Sequence, residues 1–242
     1  MSTRTYLWLT LLSVGMAFLE SAVVVYIRAI YYPEGFAFPL KEMAPDLALT
    51  ELLREIATMV MLVSMAALVA RRFVVGVAWF IYAFAVWDLF YYVFLYALLG
   101  WPPSLMTWDI LFLLPVMWTG PVLAPAINSL TMILLAAVII RISEKQEKVR
   151  IRAVEWILLL GGAVVTIIGY TRDYTLFMLE KFSFSELITF SNYQEILAYS
   201  SEYVPVSFDW RPFIIGEVMF LLATGMFYFR NTIKQTDLRR RR

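Results

Sequence analysis

Residues 73–99 read FVVGVAWFIYAFAVWDLFYYVFLYALL, in which every position except Gly76 and Asp88 is apolar or aromatic. At about 1.5 Å of rise per residue, a helix of this length is about 40 Å long and exceeds the ~30 Å of hydrocarbon in a bilayer. Arg71 and Arg72 stand immediately before it, where a charged boundary belongs. The stretch therefore reads as a membrane span. Its lone Asp88 is a polar group whose presence in hydrocarbon needs a physical cause.

Working outward from this span, five more stretches meet the same length requirement: about Tyr6 to Ile30, Glu51 to Ala70, Pro121 to Ile140, Ala153 to Tyr170 and Pro212 to Phe229. Thr50 is expected to cap the second helix, and Pro212 sits where a first-turn proline is tolerated. The first stretch is too long for a secretory leader and carries Glu20 within its apolar run, so it is expected to be retained. The expected fold class is all-α: a polytopic integral membrane helix bundle with six transmembrane helices, forming a single transmembrane domain over residues 1–242. Composition agrees, because only 16% of the residues are charged, against about 25% in soluble domains. Leu105 to Trp118 is apolar but too short to span, and Pro115, Gly120, Pro121 and Pro125 bend it or separate it from the fourth span. It is expected to form a short re-entrant or interfacial helix.

Basic residues of short loops stay on the cytoplasmic side. With the N-terminus inside, fourteen of the 20 Lys and Arg residues and only four of the 19 acids fall on the inner side. Both termini are thus expected in the cytoplasm, and Trp101, Trp108, Trp118, Tyr31 and Tyr32 at the outer boundary. Residues 171–211 form the longest extramembrane piece, a possible interfacial lid. Ser183 with Glu186, and Asn192 with Glu195, have the spacing of capping boxes, so one or two short helices are expected before Pro205. The basic tail, residues 231–242, ends in Arg239 to Arg242. Beside a span, such a run anchors topology and attracts anionic lipid, and no nucleic-acid partner is expected. The lipid bilayer is the one sure partner, with partners in a membrane complex a further possibility.

The chain has no histidine and no cysteine. That excludes disulfides, His or Cys metal centres and imidazole-dependent triads, and the sequence indicates no metal and no particular cofactor. The remaining chemistry lies in acids and arginines within the spans. Glu20 lies 16 residues after Arg4, Glu55 lies 16 before Arg71, and Asp88 lies 16 after Arg72, so all three are about 24 Å above those arginines. Arg54 is at nearly the same height, Glu51 is one turn further out, and Arg28 and Asp109 lie near the outer end. Asn128 and Glu217 form a second level, each 13 residues from a basic marker, Arg141 and Arg230. Packed carboxylates in low dielectric must take a proton, pair with arginine or bind a cation. The expected cluster sets Arg54 and Arg28 against Glu20, Glu55 and Asp88, either as a ligand site or as an ion-pair network that fixes helix register.

The leading functional reading is ligand binding, sensing or complex assembly. One alternative is a membrane-embedded enzyme using carboxylate acid and base chemistry on a lipid-like substrate. The other is a small ion- or proton-coupled transporter, disfavoured because the inner halves of the spans offer mainly hydroxyls such as Ser13, Ser64, Thr131 and Thr224.

Single cysteines in this cysteine-free chain test the orientation. Tyr193→Cys should react with an impermeant thiol reagent in intact cells, and Glu147→Cys only after permeabilisation. The opposite pattern would invert the topology.

Overall fold

The computed structural model describes residues 3–114, 116–146, 149–189 and 191–240. In chain order the elements are α1 (Thr3–Tyr31), α2 (Pro45–Val69), α3 (Phe73–Leu99), β1 (Trp108–Phe112), β2 (Trp118–Pro121), α4 (Leu123–Lys145), α5 (Ala153–Leu179), α6 (Phe184–Thr189), α7 (Tyr193–Ser201) and α8 (Trp210–Arg240). Six of them, α1 to α5 and the Trp210–Thr232 part of α8, are long and apolar enough to cross a membrane. The protein is a multi-pass integral membrane helix bundle. An even number of crossings puts the first and last helix ends together at one end of the bundle, here the terminal end. The strands, α6 and α7 lie at the other, the hairpin end.

Helix α3 is the hub: α1, α2 and α4 all pack on it, α4 packs on α8, and α8 packs on α5. Its sequence explains this. Ala78, Ala83 and Ala85 are fully buried and let neighbours approach, while Trp79 fills the gap between them and α1. The opposite helix faces expose large apolar side chains such as Ile30, Leu68 and Leu160, as surfaces solvated by lipid do. The contact between α5 and α8 depends on missing side chains. A Cβ on Gly162 would lie 3.1 Å from the Gly216 carbonyl oxygen, and one on Gly216 would lie 2.0 Å from Thr166 Oγ1. Small residues at such crossings replace the hydrophobic driving force that lipid does not supply.

The stretch expected as a short helix is instead an antiparallel hairpin. Trp108 pairs with Pro121, Asp109 with Gly120 and Ile110 with Thr119. Two more bonds extend the ladder, from Val122 N–H to the Thr107 carbonyl and from Leu123 N–H to the Leu105 carbonyl. The physical reason lies in composition: prolines remove helical donors, and Trp, Ile, Phe and Thr suit a pleated surface. The expected path survives, because α3 ends and α4 begins at the same end of the bundle.

Several boundaries also differ. Helix α2 starts at Pro45, and Thr50 lies inside it with its hydroxyl donating to the Asp46 carbonyl at 2.7 Å. Helix α5 continues to Leu179, which shortens the 171–211 connection. Both expected short helices form there. Glu186 accepts the Ser183 N–H at 2.8 Å ahead of α6, whereas Asn192 precedes α7 without a side-chain cap bond. Helix α8 carries on through Arg240, and Arg241 and Arg242 of the basic tail lie outside the described residues.

Gly216→Ala should therefore cost about 1–3 kcal/mol, the usual range for overpacking a tight contact. Gly225→Ala, with open space around it, should be neutral or slightly stabilising. Unfolding midpoints in detergent read the difference, and equal effects would refute the close α5–α8 crossing.

Candidate functional site

One expected group of charges forms as a triad. Arg54 and Glu51 are one turn apart on α2, and Arg54 Nε lies 2.9 Å from both Glu51 carboxylate oxygens. The same guanidinium reaches across to α1 and donates from Nη1 to Glu20 Oε2. Arg54 thus joins two helices that both lean on α3, and it neutralises charges that would be costly alone in hydrocarbon.

Glu55, the next residue, has a different partner. Its Oε2 accepts the backbone N–H of Leu113, beyond the end of β1, at 2.9 Å. The hairpin therefore dips to the level of a residue ten positions below the start of α2. Higher up, Arg28 of α1 pairs with Asp109 of β1 at 3.2 Å, and both residues are buried, 7% and 2% exposed. The Arg28 guanidinium carbon also lies 3.8 Å from the Trp101 ring centre and 4.5 Å from that of Phe36. A cation over an aromatic face keeps part of the stabilisation that water would otherwise give.

Asp88 stands apart from the cluster expected for it. It accepts a hydrogen bond from Ser129 of α4 at 2.7 Å. Glu217 of α8 accepts one from Thr131 of α4 at 2.6 Å. Asn128 projects between Ser129 and Thr131 on the helical wheel of α4. Tyr170 of α5 is within electrostatic reach of both Asp88 and Glu217, with Asn128 beside it. The direct bonds divide the expected cluster: Glu20, Glu51 and Arg54 form the triad, Glu55 bonds the hairpin while staying within electrostatic reach of all three, Arg28 pairs with Asp109, and Asp88 bonds Ser129 within reach of Asp109. Neither Arg28 nor Arg54 is paired with Asp88.

Two features escape sequence reading. At the terminal end, Arg230 of α8 grips Glu155 of α5 with bonds of 2.9 and 2.8 Å, and Arg72 donates to the Ser143 and Gln146 carbonyls. Arg72 and Arg230 were visible in the sequence only as basic residues at span ends, with no sign of their partners. At the hairpin end a cleft of ≈ 430 Å³ opens between α5, the hairpin and the turn into α8, lined by Trp108, Arg172, Asp173, Phe208, Asp209 and Arg211 among others. Asp209 holds Arg211 at 2.9 Å and Arg172 at 3.1 Å. The Arg211 side chain and backbone N–H hold the Asp209 carboxyl below its ordinary range. Asp173 accepts the Tyr203 hydroxyl at 2.7 Å. These residues come from four separate parts of the chain and share no motif.

The buried Arg28–Asp109 pair yields a direct test. Asp109→Leu strands a guanidinium and should cost about 3–5 kcal/mol, whereas Arg28→Met with Asp109→Leu should recover most of that loss. Additive single effects in an unfolding cycle in detergent would rule out a coupled pair.

Compared with known protein families, curated proteins and solved structures, the chain matches none.

Proposed function

We propose that this protein is a membrane-embedded binding protein that takes the polar end of an amphiphile into the cleft between α5, the hairpin and the start of α8. The cleft itself is the observation that carries this reading. Arg172 is 20 residues along α5 from Arg152, or about 30 Å, so the cleft sits at one edge of the hydrocarbon. Two guanidiniums and two carboxylates line it, with Trp108 and Phe208 as apolar walls. That lining suits a headgroup carrying both charge signs, such as a phosphate with an ammonium, whose acyl chains remain in lipid. Arg211 bonds Asp209 through Nε and Nη2, yet its side chain is 85% exposed, which leaves the outer edge of the guanidinium facing such a group.

In this reading the whole chain is one transmembrane domain with both termini in the cytoplasm. The cleft then opens at the outer leaflet, and α6 with α7 serves as an interfacial lid beside it. The basic tail faces the inner leaflet and its anionic lipids. Glu20, Glu51 and Arg54 hold α1 and α2 in the arrangement that positions the hairpin wall of the cleft. Enzyme and transporter readings receive less support. Glu20 and Glu55 are already committed to protein partners, and the terminal end is tied shut by Arg230–Glu155 and by Gln146 donating to the Asn231 carbonyl at 3.1 Å.

Titration calorimetry of the detergent-solubilised protein with soluble short-chain phosphatidylethanolamine tests the proposal. Arg172→Gln combined with Arg211→Gln should weaken binding about tenfold or more, because each removes a charge-assisted hydrogen bond. Unchanged affinity, or no binding by the wild type, would overturn it.

A further inference from the structure

The charges that line the cleft are unequally committed. Asp209 accepts Nη1 of Arg172 at 3.1 Å, and Nε and Nη2 of Arg211 at 2.9 and 3.0 Å, so both of its oxygens are taken. Two guanidiniums that share one carboxylate keep a surplus of one positive charge. Asp173 lines the same cleft, and among the described residues it pairs with no lysine or arginine. Its Oδ2 accepts the Tyr203 hydroxyl at 2.7 Å, a neutral donor that leaves the negative charge in place. Arg172 and Asp173 are neighbours in the chain, but successive residues leave a helix about 100° apart, which turns the two side chains away from each other. The cleft therefore carries a positive surplus on its arginines and an unpaired negative charge on Asp173.

A chain of hydroxyls fixes Asp173. Tyr203 and Thr119 of β2 are both buried, and their hydroxyl oxygens lie 3.0 Å apart. The Tyr203 proton goes to Asp173, so Thr119 is the donor between them, and the relay runs from Thr119 through Tyr203 to Oδ2. Each bond in such a chain polarises the next. Among the described residues only Oδ2 of Asp173 is bonded, which leaves Oδ1 for a donor inside the cleft. Ser207 adds a hydroxyl to the same lining. Oxygen acceptors of this kind suit a primary ammonium, which brings three N–H donors. A quaternary ammonium brings none and depends on a cage of several ring faces. Phe208 is already packed against Trp108, Tyr170, Trp210 and Phe213, so it does not build such a cage.

We propose that Asp173 is the specificity-determining residue of the cleft, its Oδ1 accepting a primary ammonium while Arg172 and Arg211 hold the phosphate of the same headgroup. This rests on the amphiphile reading and narrows it to phosphate esters of a primary amine, of the ethanolamine type. Such a headgroup brings one negative and one positive charge, which match the surplus on the arginines and the charge on Asp173. A glycerol ester of phosphate brings the negative charge alone and leaves Asp173 unpaired beside it, which costs binding energy. A choline ester brings a positive charge without an N–H for Oδ1. Tyr203 is a positioning residue that acts through Asp173.

Titration calorimetry of the full-length protein in detergent tests this with three soluble lipids of identical short chains: phosphatidylethanolamine, phosphatidylcholine and phosphatidylglycerol. Wild type should bind the first about tenfold or more tighter than the other two, the worth of one charge-assisted hydrogen bond. Asp173→Asn keeps a carbonyl for the Tyr203 hydroxyl and should remove the preference by weakening phosphatidylethanolamine alone. Tyr203→Phe should narrow the preference without abolishing it. Arg172→Gln combined with Arg211→Gln should weaken all three lipids, since each carries the phosphate. Equal wild-type affinities for the three, or an Asp173→Asn protein in which all three weaken alike, overturn the role of Asp173 and leave the amphiphile reading standing. No binding of any of them overturns both. Glycerophosphoethanolamine, the same headgroup without chains, separates the sources: affinity equal to that of the lipid identifies a free ester as the ligand, with Asp173 in the same role. Should Asp173→Asn fail to fold, Tyr203→Phe decides, and an unchanged preference in that variant overturns the proposal.

Discussion

A backbone N–H inside hydrocarbon has no water to bond, so a non-helical segment can enter a membrane only where protein side chains or strand pairing satisfy it. That constraint organises the hairpin end of this protein. The β1–β2 ladder satisfies the backbone between the strands, and beyond β1 the Leu113 N–H is met by Glu55 of α2. Asp109 on the same strand fastens to Arg28 of α1. The two anchors come from different helices, so the hairpin can occupy its position only if α1 and α2 are held at a set distance. The Glu20–Arg54–Glu51 triad holds them there.

The two ends of the bundle follow different physical rules as a result. At the terminal end, long basic side chains reach over helix ends to carbonyls and to Glu155, while further into the bundle the crossing of α5 and α8 is close because Gly162 and Gly216 lack side chains. At the hairpin end, strands, short helices and turns meet with an open cleft between them. Binding at one end without passage to the other is what this asymmetry supports. Asp88 and Glu217 lie between these ends, and neither carboxyl has a cationic partner among the described residues.

Six spans, their approximate limits, the shared position of both termini and the presence of polar groups within the membrane were all legible in the sequence. Those properties depend on local hydropathy and on length, which are written into consecutive residues. The two short helices after α5 were legible for a similar reason, since both were expected from pairs of residues three apart, although only the Ser183–Glu186 pair forms its capping bonds. Secondary structure in residues 105–118 was not. A fourteen-residue apolar stretch is compatible with helix or strand, and the choice depends on whether Asp109 and Leu113 find partners on α1 and α2.

Depth along a helix can be counted from sequence, but the direction a side chain faces across the bundle cannot. Glu20, Glu55 and Asp88 count to one level in the sequence, yet each meets a different partner, because rotation and neighbour identity are fixed only when α3 packs on α1, α2 and α4. The cleft makes the same point more strongly: Trp108, Arg172 and Asp209 are distant in the chain and meet through the packing of α5, the hairpin and α8. The sequence alone determined that charges would lie in the membrane and at what depth, because insertion is governed by local composition. The tertiary structure alone decided which charges compensate one another, because that depends on helix rotation and on contacts between distant segments.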